Sequence, residues 1–322
     1  MKIEIEKETG FLQSFANQLG VEIEKGNIIR IPEKFGKGYI RGFGFDSGIR
    51  MMIRNYELYE DLKINRRNSG SFSKRIIVSF NDVFATKSDN FIDKKSFPSV
   101  QAYSGNIDSE LILPRKTKYQ SIIIGIEISY LKTLVDSNSE NLILKSITND
   151  ERTFLFEEFM SPQIQKVANE IIDVNIPFDL QNFYFKVKAE ELICLLFVEL
   201  LKRENTNVSA LNTNDIQAIY TLRDKILATI DTPPVLADLA LQTGMSVSKL
   251  KRLFKQIFGD SIFNYYRSFR MKEAARLLRE KKLSVSEVGY QLGFTNLSHF
   301  TKVFEQHTGM KPKKYSNTNF IE

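Results

Sequence analysis

The segments ADLALQTGMSVSKLKRLFKQIFG (237–259) and SEVGYQLGFTNLSHFTKVFEQHTG (286–309) repeat one pattern. Each opens with a short helical run that ends in glycine, Gly244 or Gly293, where a sharp turn favours a left-handed backbone. A second helical run follows, with an inward stripe at i, i+3, i+4 and i+7 that is apolar throughout in the first segment and ends in His307 in the second, so the other face is free. The pattern predicts two helix-turn-helix units, at 236–258 and 285–308.

The free face of each second helix carries side chains that suit DNA. Such side chains hydrogen-bond base edges and phosphates, and a helix fits the major groove. Lysines just after the second unit are expected to meet phosphates. The predicted contacts are Ser248, Lys251, Arg252 and Lys255 in the first unit, Asn296, Ser298, Thr301 and Lys302 in the second, and Lys313 and Lys314 after it.

Between the two units, the segment 263–282 is expected to form one basic helix. Twenty residues at the α-helical rise extend about 30 Å. One turn of B-DNA is about 34 Å long, so a helix of this length can place two readers in adjacent major-groove segments.

Three linked motifs resemble the DNA-binding domain of the AraC/XylS transcriptional regulators: LADLALQTGMSVSKLKRLFKQIFG, YYRSFRMKEAARLL, and SVSEVGYQLGFTNLSHFTKVFEQHTGMKPKKY. The resemblance implies two units that read neighbouring grooves on one face of the duplex. It also implies a homodimer, a small-molecule effector, activation of transcription and contact with RNA polymerase. The base-reading positions carried over are Ser248, Lys251, Arg252, Asn296, Leu297, Ser298, Thr301 and Lys302. At Leu297 and Lys302, other members often place polar or arginine side chains.

The first 150 residues contain short alternating runs, such as VEIEKGNIIRI and QSIIIGIEIS, separated by turn signals. Such runs predict a β-rich domain, a cupin-like sandwich or barrel, which the resemblance makes the effector-binding domain. The glycines of 35–48 lack the spacing of a nucleotide-binding loop and are expected in turns and bends between strands. The fold class is therefore α+β, with an all-α C-terminal domain.

Residues 151–204 have helical periodicity and are expected to form a dimerising and connecting segment. Within it, FKVKAEELICLL (185–196) resembles the subgroup around the pyochelin regulator. Its apolar stripe is wider than a single face, which predicts a helix covered on two sides. Cys194 lies in that stripe and is expected to be inert packing. A polar linker at 205–214 then leads to the DNA-binding domain, 215–322.

The net charge of +6 is concentrated at the C-terminus. Residues 232–322 contain 15 lysines and arginines against 7 acidic residues, and the rest contains 30 against 32. This asymmetry favours a phosphate-bearing partner for the C-terminal domain. The single cysteine agrees with a reducing compartment. The chain shows no signal-peptide pattern and no apolar run long enough for a membrane, so a cytoplasmic protein is expected.

An enzyme is not expected. His299 and His307 are the only histidines, eight positions apart, and cannot jointly chelate a metal without other ligands. His307 is expected on the core side of its helix and His299 at the groove-side edge. No cofactor is predicted. The function expected is a sequence-specific, ligand-responsive activator, and two alternatives remain open: an architectural protein that binds DNA without sequence choice, and an enzyme fused to a DNA-binding domain.

Overall fold

The computed structural model describes residues 2–4, 10–45, 48–66, 74–83, 97–105, 109–136, 139–149, 153–173, 175–203, 209, 211–280 and 283–318. The chain forms two compact units, Met1–Thr213 and Asn214–Glu322. Half of the expected linker, namely 205–208 and 210, lies outside the described residues, as do Lys281 and Lys282 at the end of the expected joining helix.

The first unit combines β-strands with helices. Its strands are β1 (Lys2–Glu4), β2 (Ile28–Arg30), β3 (Gly36–Gly44), β4 (Ile49–Leu58), β5 (Leu62–Arg66), β6 (Arg75–Asn81), β7 (Ser99–Ser104), β8 (Ser109–Leu113), β9 (Lys118–Glu127) and β10 (Leu155–Phe159). Its helices are α1 (Gly10–Leu19), α2 (Ile128–Leu134), α3 (Leu142–Ile147), α4 (Pro162–Asp173) and α5 (Phe178–Leu201). A seven-stranded antiparallel sheet has the order β10-β7-β6-β9-β4-β3-β2, and a three-stranded sheet has the order β1-β5-β8.

The large sheet is covered on both faces because its central strands are apolar on both sides. Ile53 pairs with Ile122 in the β4–β9 ladder, and both join a core with α2 to α5. On the opposite face Tyr56 packs with Phe15 of α1 and Leu62 of β5. Each large side chain fully buried in this way contributes about 1.5–3 kcal/mol.

Strand β10 corrects the expectation that helices fill 151–204. It pairs with β7, with Phe156 opposite Ala102, and both side chains are buried in the core. A five-residue run has too few positions to reveal its period, so pairing with a distant strand decides its conformation.

The glycines of 35–48 also differ from expectation, because four of them lie inside strand β3 rather than in turns. At Gly38 the backbone φ is +104°, and a Cβ there would lie 2.1 Å from the carbonyl oxygen of Asn55 on β4. Only glycine allows the two strands to approach at this point.

Within one chain, helix α5 is covered on one side, and the second side that was expected to be covered is exposed. Its buried side packs on the sheet through Phe185, Ala189, Leu192, Ile193, Leu196, Phe197 and Leu200. The other side is exposed, and Cys194 lies there instead of in the core. Cys194 is therefore not packed in the core of its own chain, because only one face of the helix is covered there.

The second unit is helical and confirms the expected all-α domain. Its helices are α6 (Thr213–Ala228), α7 (Leu236–Thr243), α8 (Val247–Phe258), α9 (Ile262–Glu280), α10 (Val285–Gln291), α11 (Leu297–Thr308) and α12 (Pro312–Asn317). The pairs α7–α8 and α10–α11 are the two helix-turn-helix units, and α9 joins them. Helix α12 was not expected, and Lys313 and Lys314 belong to it instead of following the last helix.

The inward stripe of each second helix follows the predicted spacing. Leu250, Leu253, Phe254 and Ile257 are buried on α8, and Phe300, Val303 and Phe304 on α11. His307 departs from that stripe, because it lies exposed in the last turn of α11 and not on the core side as expected.

Candidate nucleic-acid interface

The free face of α8 presents polar and basic groups from a helix that is fixed at both ends. Ser246 caps the N-terminus, with its Oγ accepting a hydrogen bond from the Lys249 amide at 3.3 Å. Ser248, Lys251 and Arg252 are exposed, and Lys255 is half-buried. The four side chains recur every three or four residues and therefore share one face.

The cations of this face differ from their neighbours in how they are neutralised. Within the described part of the chain, Lys251 and Arg252 form no ion pair. Lys249, in contrast, reaches Asp215 of α6 at 2.9 Å, and Arg276 of α9 binds Glu273 at 2.7 Å. Unpaired, exposed cations on one helix face attract the phosphates of a duplex.

Helix α11 presents a second face of the same kind. Asn296 caps it, with Oδ1 accepting a hydrogen bond from the His299 amide at 3.0 Å, which leaves the side-chain NH₂ to donate elsewhere. Ser298 and Lys302 are exposed, and Thr301 is half-buried. Base edges in the major groove are read by such donors and acceptors.

Leu297 lies apart from these groups. It is half-buried, and a Cβ placed on Gly289 of α10 would come within 2.7 Å of its Cδ2. Its side chain therefore fills the space that this glycine leaves between α10 and α11. A methyl-rich side chain at this position can still touch a thymine methyl group at its outer edge.

Helix α9 holds both readers through its aromatic residues and one buried arginine. The ring of Tyr265 lies 5.4 Å from that of Phe254 on α8. The Tyr266 hydroxyl donates to the carbonyl of Ile230 at 2.7 Å. Arg270 donates a hydrogen bond to the carbonyl of Leu292, at the turn of the second helix-turn-helix unit, and its guanidinium lies 4.0 Å from the Phe294 ring.

Burial lowers the pKa of Arg270, which is the cost of placing this cation between the aromatic rings. The hydrogen bond to the Leu292 carbonyl offsets part of that cost. Arg270 therefore joins α9 to the second helix-turn-helix unit and is not free to bind a ligand.

Lys313 and Lys314, the two lysines predicted to hold phosphates, are fixed relative to the second helix-turn-helix unit. Both are exposed on α12, which begins with Pro312 at its first position. Tyr315 of α12 packs edge-on against Phe304 of α11, with ring centroids 5.3 Å apart. The signal that sequence reasoning missed is Lys311–Pro312, since proline favours the first turn of a helix.

Other kinds of site are not evident in the described ranges. No group of three or more histidine, cysteine, aspartate or glutamate side chains there could hold a metal ion. None of the described helices has the length and apolarity needed to cross a bilayer.

Comparison with known proteins points to the same part of the chain. A family model described as a helix-turn-helix domain matches residues 239–318. Regulatory protein PchR of Pseudomonas aeruginosa is 29% identical over 124 residues, which cover 38% of this chain and 42% of that protein. The uncharacterized HTH-type transcriptional regulator YobQ of Bacillus subtilis is 45% identical over 69 residues, 21% of this chain and 29% of that protein.

The HTH-type transcriptional activator RhaR of Escherichia coli K12 is 28% identical over 135 residues, which cover 41% of this chain and 48% of that protein. The chain therefore spans less than half the length of these three relatives. All three are described as regulators, and none as an enzyme.

Proposed function

We propose that this chain, whose C-terminal domain belongs to the AraC/XylS family of transcriptional regulators, is a sequence-specific DNA-binding regulator of transcription. The observation that carries the proposal is the pair of reader helices, α8 and α11. Each helix presents a polar and basic face. Among the described residues, Lys251, Arg252 and Lys302 on these faces form no ion pair, and α9 holds both reader helices in place.

The side chains divide between base reading and phosphate binding by chemistry. Arg252 is a forked donor on the exposed side of α8, and such a group can bind guanine O6 and N7 together. Ser248, Ser298 and Thr301 are short donors and acceptors for base edges or nearby phosphates. Lys302, Lys313 and Lys314 are point charges suited to phosphates.

The first unit is proposed to dimerise through the exposed side of α5, a helix of 24 residues. The exposed apolar residues there are symmetric about the point between Glu190 and Glu191. They form the pairs Leu180 and Leu201, Phe183 and Val198, and Val187 and Cys194. Two copies packed antiparallel place each member opposite its counterpart, as an isologous two-fold contact requires.

The charges at the centre of that stripe are compatible with the contact. Glu190 and Glu191 of both copies approach the two-fold axis, but each has a cation nearby. Lys186 lies 3.9 Å from Glu190, and Lys188 lies 2.8 Å from Glu191. Phe183 exposes 69% of its surface, which is unfavourable for a large apolar side chain in a monomer and removed by pairing.

Further parts of the proposal follow from family membership. The first unit is proposed to sense a small molecule and the protein to activate transcription, with RNA polymerase as a further partner. It is proposed to act in the cytoplasm, where the DNA lies.

Affinity for DNA tests the proposal. A preferred site is first selected from random oligonucleotides, and the Kd for that site is then compared with the Kd for random DNA at one salt concentration. A regulator is expected to prefer its site by about 10³-fold or more. Nearly equal affinities would instead support an architectural protein that binds DNA without sequence choice.

A further inference from the structure

A cleft of about 180 Å³ opens between strand β3 and the first turns of α5, within the first unit. It is lined by Asn27, Arg41, Phe43, Phe178, Gln181 and Asn182, among others. One cation and two phenyl rings therefore face a space of the size that holds a benzene-sized molecule.

Arg41 is the unusual group in this cleft. Its guanidinium lies 4.7 Å from the Phe43 ring and 5.4 Å from the Phe185 ring, and its Nη2 donates to Gln181 Oε1 at 2.5 Å. Its Nε is buried without an acceptor, and no carboxylate of the described residues lies within ion-pair range. Burial accordingly lowers the pKa of Arg41.

Two other arginines of the same unit are paired with carboxylates. Arg75 binds Glu127 at 2.8 Å, and Arg203 binds Glu158 at 2.6 Å. An arginine held among aromatic rings without a counter-charge costs folding free energy, and the hydrogen bond to Gln181 and the ring contacts of Arg41 offset only part of that cost. A bound anion would offset the rest.

The surroundings of Arg41 favour an anion and leave room for it. Gly26 has φ +85°, and a Cβ there would lie 3.8 Å from Arg41 Nη2. Helix α5 begins beside the cleft, and its N-cap residue, Pro177, provides no side-chain hydrogen bond to the first turn. Lys25 Nζ lies 5.0 Å from the Phe178 ring, so a second cation favours negative charge near the cleft, while Asp179 already places one carboxylate in the first turn of α5.

We propose that this cleft binds a small organic carboxylate, with the carboxylate on Arg41 and the apolar part against Phe43 and Phe178. The inference rests on the proposed function, because it identifies the chemical class of the effector of the regulator. Free phosphate fits less well, since it has no apolar part to cover the phenyl rings.

The position of the cleft links the ligand to dimerisation. Phe178, Gln181 and Asn182 line the cleft, whereas Leu180 and Phe183 of the same turns belong to the apolar stripe of α5. A ligand in the cleft therefore contacts the same turns of α5 that the dimer contact uses, and any effect of the ligand on the dimer is matched by an equal effect of dimerisation on ligand affinity.

Thermal unfolding and calorimetry of the full chain test the proposal with four probes. Benzoate and hexanoate are carboxylates with a ring or a chain, benzamide is a neutral analogue of benzoate, and inorganic phosphate is an anion without an apolar part. We expect at least one of the two carboxylates, at millimolar concentration, to raise Tm in a dose-dependent way, and benzamide and phosphate to have no effect.

Two variants and one control locate the binding. Arg41→Met keeps an unbranched apolar side chain against the two rings and should abolish the shift, while the free variant is at least as stable as the wild type. Asn182→Asp puts a carboxylate into the cleft from an exposed position and should weaken binding at least tenfold. Arg30→Met removes an arginine that is 70% exposed on the adjacent strand β2 and should leave the shift unchanged.

The proposal is overturned if the rise in Tm with a carboxylate persists in both Arg41→Met and Asn182→Asp, or if neither carboxylate raises Tm. An equal rise in Tm with benzamide, or a rise with phosphate alone, also overturns it. If Arg41→Met does not fold, Asn182→Asp alone decides. The ratio of site affinity to random-DNA affinity, measured on the same samples with and without the carboxylate, keeps the two proposals apart. A normal ratio with no carboxylate binding rejects the cleft only, and carboxylate binding with no DNA preference rejects the regulator.

Discussion

Gly293 lies against the backbone of Asp231, so closely that a Cβ on this glycine would be 2.0 Å from the Asp231 carbonyl oxygen. Gly244 occupies the same position in the first helix-turn-helix unit, and a Cβ there would meet nothing within 4 Å. The turn of the second helix-turn-helix unit is therefore packed against the loop that precedes the first helix-turn-helix unit. This contact helps to fix the spacing of the two helix-turn-helix units.

Alanine substitutions at the two glycines should therefore differ in cost. Gly244→Ala forces a side chain into a left-handed backbone and should lower the unfolding free energy by about 1–2 kcal/mol. Gly293→Ala, at φ +78°, adds a backbone clash and should cost clearly more. Denaturant unfolding of the two full-length variants measures this, and equal losses would mean that the loop moves away freely.

Arg252 should read bases, whereas Lys314 should hold a phosphate. We expect Arg252→Ala to cost about 1–3 kcal/mol at the selected site and to relax its preference at one or two base pairs. Lys314→Ala is the matched control and should weaken binding to specific and random DNA alike. Titrations of both variants on both DNAs decide the matter, and an equal factor for Arg252→Ala on the two DNAs would make it a backbone contact.

The antiparallel dimer predicts which cysteines can be joined. Val187→Cys places a thiol opposite Cys194 of the other copy, so mild oxidation should give a covalent dimer on a non-reducing gel. The wild type should not cross-link, because the two Cys194 positions are offset by about 10 Å along the helices, beyond disulfide reach.

The double variant Val187→Cys/Cys194→Ser is the control and should remain monomeric on the gel. A wild-type protein that cross-links efficiently through Cys194 would indicate parallel helices. A Val187→Cys protein that never cross-links would indicate that α5 is not the contact.

His307 should titrate below the ordinary range of histidine. Partial desolvation, with Lys272 and Arg267 nearby, lowers its pKa from the usual value of 6.5. The unfolded chain then takes up a proton more readily than the folded one, so stability should fall as the pH drops below about 6.5. Proton NMR of the chain's 2 histidines, with His307→Gln for assignment, measures the pKa, and a value above 6.5 would contradict the account.

The sequence predicts those parts of the molecule that depend on neighbouring residues. The stripe of Leu250, Leu253 and Phe254 and the left-handed Gly244 and Gly293 are local, so both reader helices could be assigned before the structure. The exposed face of α5, with Cys194, could not, because which side the sheet covers depends on distant strands.

The Arg41 cleft was equally inaccessible to sequence reasoning. Arg41 and Gln181, which meet across it, are separated by 140 positions in the chain. No periodicity on β3 or α5 signals that an arginine will be buried without a carboxylate, since only the packing of the two elements creates that situation. The surroundings of His307 likewise depend on α9, which places Lys272 and Arg267 near the last turn of α11.

Hydroxyl-radical footprinting on the selected site tests the central claim, that two helices joined by α9 read two adjacent stretches of one DNA face. Each protomer should protect the sugars that flank two major-groove segments, centred about 10 base pairs apart on the same side of the duplex. Arg252→Ala should weaken protection of one segment, and Lys302→Ala of the other. A footprint confined to a single groove segment per protomer, or protection that both substitutions weaken equally throughout, would contradict the account.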